Sequence, residues 1–270
     1  MPKPIELNFI DDFEPFKRAT TANKSQFGHI GILGGDDGMS GAVMISGQAA
    51  LRSGAGRVTL LSRQTHAQLL NLLQPELMTK SIESLADIKP LLAVIDVLAM
   101  GPGLGKSEWA ENLFLECIRH PLPIVMDADA LNLLAIHQHK RHNWILTPHP
   151  GEAARLLGMT PAEIQQDRTA AIITLQKTYG GIVVLKGSET LICDPTQQVW
   201  VCKDGTPWMA TPGMGDTLTG MIAAFIGQKL SHLKAAQMAV MLHAHTADLL
   251  HAKNNSVVLA TDVIHALKLT

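Results

Sequence analysis

Cysteine is scarce in this chain. Cys117, Cys193 and Cys202 stand far apart and form no Cys-x-x-Cys pair. An odd count at wide spacing excludes a disulfide framework and fits reduced thiols in a cytoplasmic protein. Excess charge is also lacking: 22 Lys and Arg against 24 Asp and Glu leave a formal net charge of −2, with no basic block. That removes the electrostatic footprint of a nucleic-acid binder. No apolar run reaches the roughly 18 residues a membrane helix needs. The segment Met1-Pro2-Lys3-Pro4-Ile5-Glu6 has no apolar centre, so it is no signal peptide. Aromatics are few, with one Tyr and six Phe among 270 residues. Gly/Ser-rich linkers, composition shifts and internal repeats are missing as well, which predicts one domain over residues 1–270.

What is present is aliphatic: 46% of the chain is apolar and only 17% charged. Residues 1–27 are polar and mixed, and read as an arm with one short helix. Beyond them, short apolar strands alternate with helical patterns. Strands are predicted at 29–33, 57–61, 93–100, 123–127, 144–147 and 182–186. Helices are predicted at 41–54, 65–73, 107–118, 130–136 and 151–157, with a long one running from Pro161 to Tyr179. An edge hairpin is predicted at 190–193 and 198–202, then helices at 214–227, 232–251 and 261–268. This alternation means a mostly parallel sheet with helices on both faces. Ligands of such sheets bind beyond the carboxyl ends of the strands, where the glycine loops of this chain fall.

The loop Gly101-Pro102-Gly103-Leu104-Gly105-Lys106-Ser107 is not a Walker A motif, because Met100 stands where the first glycine belongs. It is not a dinucleotide fingerprint either, because Lys106 replaces the third glycine. It is a ligand-touching glycine loop or a simple tight turn. Thr147-Pro148-His149-Pro150-Gly151-Glu152 holds His149 and Glu152 at another strand end, or is a rigid turn with a capping Glu. Lys186-Gly187-Ser188-Glu189-Thr190 follows an apolar strand. There a Lys can hold a nucleotide phosphate, or simply be solvated at a hairpin entry. The twelve histidines include the cluster His137, His139 and His142, without the spacing of a zinc site. No protein metal site is predicted.

The most informative stretch is Thr211-Pro212-Gly213-Met214-Gly215-Asp216-Thr217-Leu218-Thr219-Gly220. Two glycines lead into an acid and then into an apolar helix. A helix start with free N–H groups is an anion site. An Asp in that place is either a base beside a transferred phosphoryl group or a helix cap. As an ordinary Asp it is ionised at neutral pH.

Taken together, several segments resemble the nicotinamide-nucleotide hydrate dehydratases, a carbohydrate-kinase-related family within the ribokinase-like kinases. They are GHIGILGG (28–35), the small-residue helix and strand at 40–60, GPGLG (101–105), DADALNLLA (127–135), TPHPGEAARLLG (147–158), LKGSET (185–190) and TPGMGDTLTGMIAAF (211–225). The resemblance covers about residues 24–268 and implies a three-layer ribokinase-like sandwich. It implies an ADP- or ATP-dependent lyase that repairs the S epimer of hydrated NADH or NADPH, by phosphorylating the ring hydroxyl and eliminating phosphate. By the same resemblance Asp216 is the base, and Gly213 and Gly215 frame the anion hole. Lys186, Gly187, Ser188, Glu189, Thr190 and Gly215 bind the adenine nucleotide. Ala42, Gly103, Gly105, His149 and Asp216 line the hydrate pocket. Where related sugar kinases carry Asn-x-x-Glu, this chain reads His149-Pro150-Gly151-Glu152. That departure implies that Mg²⁺ comes mainly with the nucleotide, with Glu152 acting through water. The family further implies a homotetramer. It also implies a separate epimerase in the cell, because 270 residues leave no room for a fused one. The competing readings are a kinase of a small vitamin-precursor alcohol and a silent nucleotide sensor.

Overall fold

The central strands are almost wholly apolar because each one has helices on both of its faces. In the computed structural model, which describes residues 3–14 and 16–269, the strands are β1 (Ile5–Leu7), β2 (His29–Leu33), β3 (Arg57–Ser62), β4 (Met78–Ser81), β5 (Val97–Met100), β6 (Ile124–Met126), β7 (Trp144–Leu146), β8 (Ile182–Leu185), β9 (Thr190–Cys193) and β10 (Val199–Cys202). The helices are α1 (Phe9–Asp12), α2 (Ser40–Arg52), α3 (Gln64–Leu73), α4 (Leu85–Leu92), α5 (Glu108–Cys117), α6 (Ala128–Ile136), α7 (Pro150–Leu157), α8 (Pro161–Gln166), α9 (Arg168–Tyr179), α10 (Met214–Gly227), α11 (His232–Asn254) and α12 (Ala260–Ala266). The strands form one sheet in the order β1-β10-β9-β8-β7-β6-β5-β2-β3-β4. The pairings β8–β9 and β9–β10 are antiparallel and the rest are parallel.

Strand side chains alternate between two cores, as the pleat requires. Ile30, Ile32, Val97, Ala99, Val125, Ile145 and Val184 pack with Met221, Phe225 and Val240 of α10 and α11. Leu33, Leu98, Met100, Ile124, Met126, Trp144, Leu146 and Val183 pack with Phe114, Leu134 and Tyr179 on the other face. This is the three-layer sandwich expected of a ribokinase-like fold. The small residues of α2 let it lie close against α10: a Cβ on Gly220 would come within 2.1 Å of the Ser46 carbonyl oxygen.

Several boundaries differ from expectation. The long helix after Pro161 is broken at Asp167, whose φ of −144° leaves the helical region while its side chain accepts from Ala170 N at 2.8 Å and caps α9. The predicted strand 93–100 begins only at Val97, because Val94 N and Ile95 N bond Leu91 O and close α4. Strand β4 and helix α4 escaped the periodicity: β4 is mostly exposed, and α4 carries Pro90. The hairpin β9–β10 is not the sheet edge, since β1 pairs beyond it with Ile5 opposite Trp200. The arm is therefore part of the fold, and Phe9, Phe13 and Phe16 pack on the α11 side. Pro2 and Pro15 of that arm lie outside the described residues.

Candidate active site

The register of the parallel strands fixes where the chemistry gathers. Leu33, Met100, Met126 and Leu146 pair successively across β2, β5, β6 and β7. The ladder runs one step further, with Gly101 N bonding Leu33 O, Asp127 N bonding Met100 O and Thr147 N bonding Met126 O. Gly101, Asp127 and Thr147 thus stand side by side at the carboxyl edge, and Lys186 joins them as its N bonds Pro148 O at 2.9 Å. Glycine is required at 101: its φ is +127°, and a Cβ would meet Asp127 O at 1.8 Å. The loop 101–105 folds back on the next strand end, with Asp36 N bonding Gly103 O at 2.7 Å.

Lys186 reaches across from β8 to Asp127, and Nζ lies 2.5 Å from Oδ1. The Asp127 side chain is 2% exposed, and its Oδ2 accepts from Thr219 Oγ of α10 at 2.9 Å. Burial pushes the Asp127 carboxyl up, but the Lys186 ammonium and the Thr147 and Thr219 hydroxyls outweigh it and hold it below its ordinary value. Burial likewise works against the Lys186 charge, yet Asp127 and Glu152 hold its proton above the ordinary lysine range. Lys186 is thus a paired, partly buried cation rather than the solvated Lys of a hairpin entry. Gly215 stands over this pair: a Cβ there would lie 3.2 Å from Lys186 Nζ and 3.3 Å from Asp127 Oδ2.

At the start of α10 Gly213 is the N-cap residue, with φ of +88°, and no side chain caps the terminus. Asp216 therefore is not a cap. Its carboxyl is pushed up to about 7, first by burial and then by Asp127, with Lys186 working the other way. The expectation of an ordinary ionised Asp is corrected here: the carboxyl is half protonated near neutral pH. The carboxylates of Glu152 and Asp129 add to the same shift. Asp129 in turn accepts from Gly105 N at 2.9 Å, which ties the glycine loop to this cluster.

His149 and Glu152 form a rigid, capped turn. His149 Nδ1 accepts from Gly151 N at 2.9 Å and Glu152 N at 3.3 Å, and Glu152 Oε2 accepts from His149 N at 2.8 Å. With two N–H groups aimed at Nδ1, the neutral ring carries its proton on Nε2, which lies 3.3 Å from Glu152 Oε1. Burial, followed by Asp127 against the pull of Lys186, raises the Glu152 carboxyl to about 6. Among the described residues no three His, Cys, Asp or Glu side chains converge as a metal cage.

Beside Lys186 opens a cavity of about 370 Å³, lined at one end by Lys186, Gly187, Ser188, Thr190 and Gly215. Glu189, expected among these, does not line it; its φ is +56° and its side chain is exposed. Ala42, Gly103, Gly105, His149 and Asp216 do not line it either. Ala42 and Gly103 lie together, since a Cβ on Gly103 would meet the Ala42 Cβ at 3.2 Å. The sequence reading missed Arg168, whose guanidinium donates to the carbonyls of Leu185, Lys186 and Ser188 and braces the 186–190 loop. It also missed the far wall of the cavity, made by Asp204, Gly205, Thr206, Pro207, Met209 and Ala210 and by Val240, His243 and Ala244 of α11. The turn signal Asp204-Gly205-Thr206-Pro207 marked that loop, but nothing local marked its partner helix.

Known proteins resemble this chain in sequence and fold. The profile of a carbohydrate-kinase family described as NAD(P)H-hydrate dehydratase matches residues 30–269. A bifunctional NAD(P)H-hydrate repair enzyme of Coxiella burnetii is 49% identical over 232 residues, covering 86% of this chain and 48% of that protein. The chain thus spans about half the length of the curated relatives it matches first. The ADP-dependent (S)-NAD(P)H-hydrate dehydratase of Neisseria meningitidis is 36% identical over 242 residues, covering 86% of this chain and 80% of that one. The crystal structure of the ADP/ATP-dependent NAD(P)H-hydrate dehydratase of Bacillus subtilis, grown with ATP and Mg²⁺, superposes with a TM-score of 0.82 at 28% identity, over 94% of this chain and 92% of the other. No helix among the described residues is long and apolar enough to cross a membrane. With a family match over nearly the whole folded chain, this protein belongs to the NAD(P)H-hydrate dehydratase family.

Proposed function

We propose that this chain restores NADH and NADPH from the S epimer of their hydrates, using ADP, or ATP, as phosphoryl donor. The observation that carries the reading is Asp216: an acid that caps nothing, at an open helix start, beside the Lys186–Asp127 pair. A carboxyl titrating near neutral pH is suited to accept an alcohol proton there. Asp216 takes the proton of the ring hydroxyl as that oxygen attacks the terminal phosphoryl of the nucleotide, whose bridging P–O bond breaks to release AMP from ADP, or ADP from ATP. The N–H groups at Gly213 and Gly215 and the helix dipole stabilise the charge in transfer. The ring C–O bond then breaks with phosphate as leaving group, a proton leaves the neighbouring carbon, and the ring double bond returns.

In this reading Lys186, Gly187, Ser188, Thr190 and Gly215 hold the nucleotide, and Glu189 contributes backbone only. Ala42, Gly103, Gly105, His149 and Asp216 surround the hydrate, with His149 Nε2–H as a donor. Mg²⁺ is carried by the nucleotide, and ADP is the preferred donor, in keeping with the Neisseria relative's name. The protein works as a homotetramer in the cytoplasm. Sedimentation velocity tests the assembly.

The test of the reaction is hydrated NADH incubated with ADP or ATP. Ring absorbance and inorganic phosphate are expected to appear mole for mole. Recovery without nucleotide, or phosphorylation of a vitamin-precursor alcohol but not of the hydrate, would overturn the proposal.

A further inference from the structure

The far wall of the cavity beside Lys186 is largely apolar, with Pro207, Met209, Leu218, Val240 and Ala244 beside Asp204 and Thr206. One polar ring interrupts it. His243 is 7% exposed, and its Nε2 is sealed with no hydrogen-bond partner among the described residues. An unpaired polar atom in a core costs stability, and an aliphatic side chain at 243 would avoid that cost. Sealing Nε2 leaves Nδ1 as the nitrogen that can serve the cavity. A buried unpaired acceptor is tolerated better than a buried unpaired N–H, so the favoured tautomer puts the proton on Nδ1.

We propose that His243 donates a hydrogen bond to a ring nitrogen of the adenine base, from the apolar wall of the nucleotide cavity. The inference rests on the nucleotide reading of that cavity. A largely apolar wall suits a purine, and apolar contact alone does not tell one purine from another. A single N–H placed in such a wall does. The ring is neutral at physiological pH, because burial and then the Lys186 charge push it down to about 4. It therefore offers a dipole to a base rather than a charge to a phosphate. The phosphates fall to Lys186, Gly187 and Ser188, which line the same cavity.

The experiment is calorimetric titration of ADP, and separately of the hydrate, into wild type, His243→Leu and His243→Gln. Removing the orphan is expected to raise the melting temperature of ligand-free His243→Leu while weakening ADP about three- to tenfold, the worth of one hydrogen bond. Hydrate affinity is expected to hold, and His243→Gln, which keeps a donor, to recover part of the ADP loss. One of the 1-, 3- or 7-deaza analogues of ADP should bind wild type more weakly than ADP, yet bind His243→Leu as ADP does. Equal ADP affinity in wild type and both variants, or an equal loss for the hydrate, would overturn the role of His243 alone. Failure of wild type to bind ADP at all would overturn the nucleotide reading beneath it.

Discussion

Asp216→Asn separates a base from a cap by the sign of its effect on stability. A cap lost lowers stability by about 1 kcal/mol. A carboxyl raised by its surroundings does the reverse, because the folded state resists its ionisation. The ordinary value is 3.8 and the folded value about 7. Such a group favours the fold only while both states are protonated, below about pH 4, and its penalty grows from there until pH passes 7. At pH 8 the full difference is about 4 kcal/mol by linkage, and roughly half that once solvent screening of a partly exposed group is allowed. Asp216→Asn is therefore expected to be more stable than wild type by about 2 kcal/mol at pH 8. That advantage should shrink by about 1 kcal/mol on going to pH 5. Turnover should fall by a factor of about 10² to 10⁴, the worth of a positioned base. Urea denaturation of both proteins at pH 5, 6.5 and 8, beside the hydrate assay, reads all three quantities. A variant less stable than wild type at pH 8, with near-normal turnover, would refute the reasoning and return Asp216 to a cap.

The other expectations concern the charges and glycines around Asp216. In wild type, kcat/KM should rise with pH through an inflection near 7, as Asp216 ionises; in Asp127→Asn the inflection should move to lower pH, because Asp127 helps to raise Asp216. A pH–rate profile of each protein checks this, and an unmoved inflection would assign it to another group. Lys186→Ala leaves the Asp127 carboxylate buried without its partner and should cost about 3 kcal/mol in urea denaturation. The same variant should weaken ADP more than the hydrate, and adding Asp127→Asn should return part of the lost stability. Gly101→Ala, with a Cβ 1.8 Å from the Asp127 carbonyl oxygen, should cost about 3 kcal/mol from overlap and strained backbone. A melting curve close to wild type would show that the loop can yield.

Much of the architecture was legible in the chain because its signals are local. A strand covered on both faces is a short apolar run, and β2, β5, β6, β7 and β8 each read that way. The glycine pairs before α10 and after β5 are likewise explained by local backbone: Gly213 and Gly101 adopt positive φ. Where the local signal was weak, the reading failed. Strand β4 is paired only through its backbone at an exposed edge, and the break at Asp167 is a cap inside what looks like continuous helix.

The chemistry of the site was another matter, because charges do not declare their partners along a sequence. Lys186 and Asp127 are 59 residues apart, and Thr219 and Asp127 are 92 apart. Only the register of the parallel strands sets the first pair on the same sheet edge, at the ends of β6 and β8 on either side of β7, and only the packing of α10 brings the second together. Asp216 could be read from the chain as an acid at a helix start, yet its titration near neutral pH comes from burial and from carboxylates on other elements. His243 looked like one histidine among twelve on an ordinary helix. Its place in the cavity wall follows from how α11 lies against β8, β9 and α10. Backbone preference and hydrophobic pattern act over a few residues and are written in order along the chain; electrostatic environment depends on what folding brings within a few ångströms.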